Sequence, residues 1–326
     1  MQTRLSQEII DILCCPICKS GLRHLNVQFE CLNRDCGENF PVIDGIPVLI
    51  NQKNSLFSPL QLVRQHKVMQ VLQHLGKSPP KTKPGAFKCW TPNIGKNIKA
   101  KNNLRNFSEL LLERFPSPKV LVIGGKTLGQ GMEFFLGKKS ITLIETDVFF
   151  SPRTSLICDS HDIPFIDQSL DGVVIQAVLE HVVNPFRCVE EIYRVLKDKG
   201  LVYAETAFMQ QVHSGRYDFL RFTMLGHRRL FRNFEEIDSG AVCGPGMALA
   251  WSYQYFLLSL TKSRSIRTLL AAFSKFTSFY LKYFDYLIID NPGSLDAASA
   301  YYFMGQRSNS TFSDQELLKI YRGAQI

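Results

Sequence analysis

Residues 119–208 read KVLVIGGKTLGQG (119–131), ITLIETD (141–147), TSLICDSHDIPF (154–165), LDGVVIQAVLEHV (170–182), PFRCVEEIYRVLKDKG (185–200) and LVYAETAF (201–208). Short runs of Val, Ile and Leu alternate with helical or loop segments. Runs at 119–124, 141–146, 154–158, 170–176 and 201–206 are apolar at nearly every position, which predicts strands buried on both faces, as in a parallel sheet wrapped by helices. A glycine turn follows the first run and acids close the second and third. Open α/β sheets bind ligands beyond the carboxyl ends of their strands. Gly124, Gly125, Asp147 and Asp159 stand at such ends, so the stretch is expected to hold a nucleotide-like cofactor.

At 326 residues the chain can bury a large core, and 45% hydrophobic with 21% charged residues is an ordinary globular composition. No apolar run approaches the roughly 20 residues of a membrane-spanning helix. The first turns carry Arg4, Glu8 and Asp11, with no apolar signal core. The nine cysteines are an odd count, and without an export signal they read as reduced thiols in a cytoplasmic protein, some of them on a metal. The formal net charge is +9. It is concentrated in residues 53–105, which hold eleven Lys and Arg and no acid.

Outward from the central stretch, ILCCPICKSGL precedes FECLNRDCGENFPVIDGIPVLI. Cys15 and Cys18 form a C-x2-C pair, and Cys31 and Cys36 a C-x4-C pair. Four thiolates from two turns can close a tetrahedron around zinc. Cys14 is a register rival to Cys15, but Cys15 gives the Cys-Pro-x-Cys knuckle its usual spacing. The segment resembles the small zinc-ribbon family that includes the activator subunit of tRNA and protein methyltransferases. In that family a metal knuckle precedes YPI-x-DGIP; here Phe40 replaces the Tyr, and Asp44, Gly45, Ile46 and Pro47 match. The resemblance implies a structural zinc with no open position.

In the connector, the apolar residues Leu60, Val63, Val68, Val71, Leu72 and Leu75 predict one helix over 60–76, ending at Gly76. The remainder is rich in Pro, Gly, Lys and Asn and reads as loop. Its lysines form either a solvated linker or a nucleic-acid or anionic-lipid patch. Phe87 and Trp90 beside Lys88 could stack on a base or cap the cleft.

The glycine turn resembles motif I of class I S-adenosylmethionine-dependent methyltransferases, VL-(D/E)-x-G-x-G-x-G. Val122 stands where that family has an acid contacting the methionine amine, and Lys126 where it has a glycine. Downstream, CDSHDIPF, SLDGVVIQAVLEH and EEIYRVLKDKG resemble the family's D-x-x-x-L-P-F, SFD…LEH and RVLKPGG segments. The resemblance implies a ribose-binding carboxylate at Asp147 (Glu145 is the runner-up). It implies adenine recognition by Asp159 with Ser160, and Gln176 and Ala177 on the methionine side.

Beyond residue 208, His213, Tyr217, Asp218 and Arg221 are dense polar chemistry in an apolar stretch, and His181 closes strand 4. A general base for a hydroxyl acceptor is expected at His213 first, then His181. Tyr217 and Asp218 would orient the acceptor, and Arg221 would pair with an anionic group. Residues 248–288 read as two or three amphipathic helices, serving as a cap, a dimer face or a peripheral membrane contact. ASAYYFMGQRS suits a closing antiparallel strand.

The fold class expected is α/β: a Rossmann-like, seven-stranded class I methyltransferase sheet with an N-terminal zinc ribbon and a helical C-terminal cap. The divisions are 1–52, 53–105 and 106–326, with a helical insertion at 248–290. The expected activity is methyl transfer from S-adenosylmethionine to a small or lipid-linked metabolite. The rivals are a ribosomal or transfer RNA acceptor and a degenerate, non-catalytic scaffold.

Overall fold

A computed structural model describes residues 3–74 and 91–325. The predicted Phe87–Trp90 stacking pair, the Gly76 helix end and the lysines between 77 and 88 lie outside the described residues. Eleven strands form one continuous sheet: β1 (Leu22–Leu25), β2 (Gln28–Cys31), β3 (Asn39–Ile43), β4 (Ile46–Leu49), β5 (Lys119–Ile123), β6 (Thr142–Asp147), β7 (Leu156–Cys158), β8 (Leu170–Gln176), β9 (Leu196–Ala207), β10 (Phe234–Cys243) and β11 (Ala300–Arg307). The helices used below are α1 (Gln7–Ile10), α2 (Pro59–His74), α3 (Ala100–Arg114), α4 (Glu133–Leu136), α5 (Pro185–Val195), α6 (Met224–Leu230), α7 (Pro245–Ser259), α8 (Arg264–Ser278) and α9 (Leu281–Ile288).

The order β7-β6-β5-β8-β9-β11-β10 makes up the expected seven-stranded sheet. Its first five strands are parallel, and β11 inserts antiparallel between β9 and β10. The apolar runs are buried on both faces because successive side chains alternate. In β5, Leu121 and Ile123 join one core cluster, with Val189, Ile192 and Val195 of α5. Val120 and Val122 join the other, with Leu104, Phe107 and Leu111 of α3. Fully burying each such side chain contributes about 1.5–3 kcal/mol.

Two boundaries differ from the sequence reading. The division placed at 105/106 falls inside α3, which starts at Ala100, because Leu104, Phe107 and Leu111 are spaced to bury one helical face. The N-terminal segment also joins the large sheet. β4 pairs in parallel with β7, Val48 opposite Ile157 and Leu49 opposite Cys158. Every residue of β4 is buried. The edge strand of a parallel sheet leaves a row of backbone groups unpaired, and β4 satisfies part of it.

Residues 248–288 form helices as expected. No helix among the described residues is long and apolar enough to cross a membrane.

Candidate active site

The strand ends converge as the topology requires. Gly124 ends β5 with φ +82°, and a Cβ there would lie 2.5 Å from the Val178 side chain, so only glycine turns the chain here. Ala177, just past β8, holds φ +53°, a sparsely populated conformation for a non-glycine residue. Gly124, Asp147, Asp159, Ser160, Gln176, Ala177, His181, His213 and Tyr217 all line one cleft of about 600 Å³, a size suited to a small-molecule ligand.

The two acids differ in environment. Asp147 accepts the amide protons of Phe149 (2.9 Å, Oδ1) and Lys126 (3.1 Å, Oδ2), and burial pushes its carboxyl up. Each oxygen keeps a lone pair, so the residue can still accept two hydroxyls. Burial also pushes the Asp159 carboxyl up, but hydrogen bonds from His161 and Ser55 outweigh it and hold the group below its ordinary value. Those bonds are His161 Nδ1 to Oδ1 at 2.6 Å and Ser55 Oγ to Oδ2 at 2.5 Å.

His181 sits in the 3-10 turn Leu179–His181, where its Nδ1–H donates to the Tyr217 carbonyl (3.0 Å) and its Nε2 accepts from the Ser214 hydroxyl (3.1 Å). Burial first, then the neighbouring His213, lower its pKa. The two imidazoles meet edge to face at 4.9 Å. Beneath them Glu180 is buried. Burial pushes its carboxyl up to about 7, and Oε2 has no hydrogen-bond partner.

Four residues named from the sequence do not line this cleft. Gly125 packs against β6: a Cβ on it would lie 3.1 Å from Glu145 Cβ. Glu145 is taken by an ion pair with Arg153. Asp218 accepts the amide protons of His213 (2.8 Å) and Ser214 (3.3 Å) and pairs with Arg221. Arg221 spends its remaining donors on the carbonyls of Gln210, Gln211 and Leu220. The pair therefore braces the loop that carries His213, and Arg221 has no donor left for an anionic acceptor.

The sequence reading missed Leu56, Phe57, Phe149 and His161, all of which line the cleft. Phe57 packs on Phe149 (5.4 Å between centroids) and Tyr217 (5.6 Å). The available signal was Leu56-Phe57, an apolar pair just ahead of the connector's helix. Three of the connector's bases are already engaged within the chain: Lys96 lies over the Tyr286 ring at 5.0 Å, Lys99 reaches Asp290 at 2.5 Å, and Lys101 reaches Glu133 at 3.7 Å.

In the ribbon, the Sγ atoms of Cys15, Cys18, Cys31 and Cys36 all lie within 4.8 Å of one another. Cys15 and Cys36 are 3.8 Å apart and Cys18 and Cys31 3.4 Å apart. A tetrahedron with metal–sulfur bonds of about 2.3 Å has edges of about 3.8 Å, so this donor set fits zinc. Cys14 stands outside the group: its amide bonds the Pro164 carbonyl at 3.0 Å, tying the knuckle to the sheet.

Comparison with known proteins agrees with both regions. A family model described as "Methyltransferase domain" matches residues 139–204. The UPF0434 protein of Dechloromonas aromatica is 35% identical over 49 residues, 15% of this chain and 84% of the relative. That of Nitrosococcus oceani is 31% identical over 55 residues, 17% of this chain and 93% of the relative. Among solved structures, geranyl diphosphate C-methyltransferase from Streptomyces coelicolor is 10% identical, with 67% of this chain and 87% of the other covered and a TM-score of 0.39. The Burkholderia thailandensis 1,6-didemethyltoxoflavin-N1-methyltransferase is 11% identical, with 83% and 96% covered and a TM-score of 0.38. At such TM-scores the structural likenesses carry no argument.

Proposed function

The chain belongs to the UPF0434 family through its N-terminal segment and carries a methyltransferase domain, and from that premise we propose that it transfers a methyl group from S-adenosylmethionine to a small or lipid-linked acceptor. The observation that carries this reading is the convergence of Asp147, Asp159, Gln176 and the His181–His213 pair on one cleft at the carboxyl ends of the strands. Asp147 would hold the ribose hydroxyls and Asp159 with Ser160 the adenine edge. Bound there, the cofactor supplies an electrophilic methyl on a sulfonium. The chain aligns the acceptor with it and excludes water.

His181 is the better-placed base. The Tyr217 carbonyl fixes its tautomer, which makes Nε2 the basic nitrogen; its lone pair is held by the Ser214 hydroxyl, which an acceptor hydroxyl would displace, and its lowered pKa keeps it neutral. His213 sits beside it and tunes it. Four cysteines in tetrahedral reach would hold a structural zinc in the ribbon.

The exposed faces of α8 and α9 support the acceptor class. Ile266, Leu269, Phe273, Phe276, Tyr280, Tyr283 and Leu287 recur at alternating three- and four-residue steps along α8 and α9, and all are exposed, Leu269 at 67% and Leu287 at 80%. No acid occurs between Asp238 and Asp285. An apolar row whose α8 portion carries only basic charges suits the surface of an anionic membrane, from which a lipid-linked acceptor would be taken.

Calorimetric titration with S-adenosylmethionine tests the premise, and absence of binding at millimolar ligand sinks it. Methyl-labelled cofactor is then incubated with the protein and fractionated extract. Label in the organic-soluble fraction is the expected result, and label in RNA overturns the acceptor class.

A further inference from the structure

Next to the main cleft lies a second cavity of about 220 Å³, sharing Ile123, Gly124, Thr127, Gln176 and Ala177 with it. Among the described residues its single ionisable lining group is Glu205, near the end of β9, and none of them lines it with a cationic side chain. Glu205 is 7% exposed. Its partners are all neutral: Tyr203 Oη (2.7 Å) and Gln176 Nε2 (3.1 Å) donate to Oε1, and Asn97 Nδ2 (3.0 Å) donates to Oε2. Gln130 Nε2 in turn donates to the Asn97 carbonyl at 2.8 Å. A Cβ on Gly129 would fall 2.2 Å from Gln176 Oε1, so the glycine turn makes room for this network.

A buried carboxylate with neutral donors and no cation is costly, and the cost is relieved when a positive group arrives. Oε2 accepts one bond and retains acceptor capacity. The cavity shares Gly124 and Gln176 with the cleft, and Val122 of β5 lines it without a charge. We infer that Glu205 anchors the ammonium group at the amino-acid end of the bound cofactor, with Asn97 and Gln176 holding its carboxylate in place. A protonated primary amine presents three donors and fits an acceptor-rich cavity of this size. The inference rests on the cleft being the S-adenosylmethionine site, and it adds a residue on β9, two strands away from the glycine turn.

The test uses two neutral-sulfur ligands titrated into the full chain. S-adenosylhomocysteine carries the amino-acid end, and 5′-methylthioadenosine lacks it. The wild type is expected to bind S-adenosylhomocysteine more tightly. Glu205→Gln should weaken S-adenosylhomocysteine roughly 10- to 100-fold and leave 5′-methylthioadenosine unchanged. The unchanged ligand also shows that the variant is folded. Asn97→Ala, which keeps the carboxylate and removes one of its donors, should weaken the same ligand by a smaller factor. Equal loss of both ligands in Glu205→Gln, or no loss of either, overturns the inference alone. Failure of the wild type to bind either ligand overturns the cofactor reading beneath it.

Discussion

The cysteine ribbon and the cofactor cleft are two pockets of converging side chains held by different forces. The cleft sits on a sheet whose two faces are packed by α3 and α5, with Leu104, Phe107, Leu111, Ile192 and Val195 buried. The ribbon's buried apolar side chains, among them Leu5, Ile9, Leu13, Phe29 and Phe40, join the sheet's core cluster rather than forming a separate one around the four thiols. The larger unit can form its site from apolar burial, and the smaller one needs its metal–ligand bonds. The two are also joined. Asn51 and Asn54 each donate to Asp162 at 3.0 Å, Ser55 reaches Asp159, and Lys19 pairs with Glu191 at 2.8 Å. The segment that follows the ribbon's exit strand therefore forms one wall of the cleft, through Leu56 and Phe57.

Stripping the ribbon with a strong chelator should break the comparison most sharply. Metal-coupled folding of such units is worth on the order of 10 kcal/mol, so the ribbon should lose its order while the sheet keeps its thermal transition. Elemental analysis should find about one zinc per chain before treatment, as four thiolates close one tetrahedron. Amide exchange should then show loss of protection confined to the first fifty residues and to β7. Protection lost uniformly would mean that the sheet depends on the ribbon.

Replacing His181 by Asn leaves the ribbon alone and tests the cleft's chemistry. Turnover should fall by roughly 10²–10⁴, the usual worth of a positioned general base, with S-adenosylhomocysteine affinity unchanged. In the wild type the rate should rise with pH through a midpoint below the ordinary histidine value, because burial and then His213 disfavour the protonated ring. His213→Gln removes the second of these, so the midpoint should move up. A midpoint that stays in place would show that the two rings are not coupled.

The joint between the regions is read by Ser55→Ala. Loss of its hydrogen bond to Asp159 should weaken S-adenosylhomocysteine by roughly tenfold. Metal-stripped protein should be weakened at least as much if the ribbon is what holds that wall.

The last test lies at the packed end of the sheet, away from both pockets. His227 in α6 is 2% exposed with Nε2 unpartnered, and burial followed by the Arg228 charge depresses its pKa to about 3. Its folded pKa lies below the unfolded value, so its contribution to stability is complete above about pH 6.5 and is lost as pH falls from there toward 3. Urea titrations should show stability falling in that window by up to roughly 1.4 kcal/mol per pH unit, with a shallower slope in His227→Phe.

The strands were legible because burial on both faces forces continuous apolar runs, and the order of the acids at 147 and 159 follows from strand polarity alone. Asp218 and Arg221 show the limit of that reading. Three residues apart on a loop, they looked like acceptor chemistry and instead neutralise each other, because the loop had to be tied down somewhere. Glu205 shows the converse. Inside LVYAETAF it looked like part of a buried strand, and nothing local marked it as facing a cavity shared with Asn97 and Gln130.

By itself the sequence determined the cysteine group, the parallel sheet and the acid at the end of β6, since each depends on spacing along one segment. Tertiary structure alone decided that β4 would pair with the β7 edge, that Leu56 and Phe57 would wall the cleft, and that Glu205 would meet Asn97, Gln176 and Tyr203. These depend on which distant segments share an edge or a cavity, and a one-dimensional pattern carries no information about which donors a buried charge will meet across the fold.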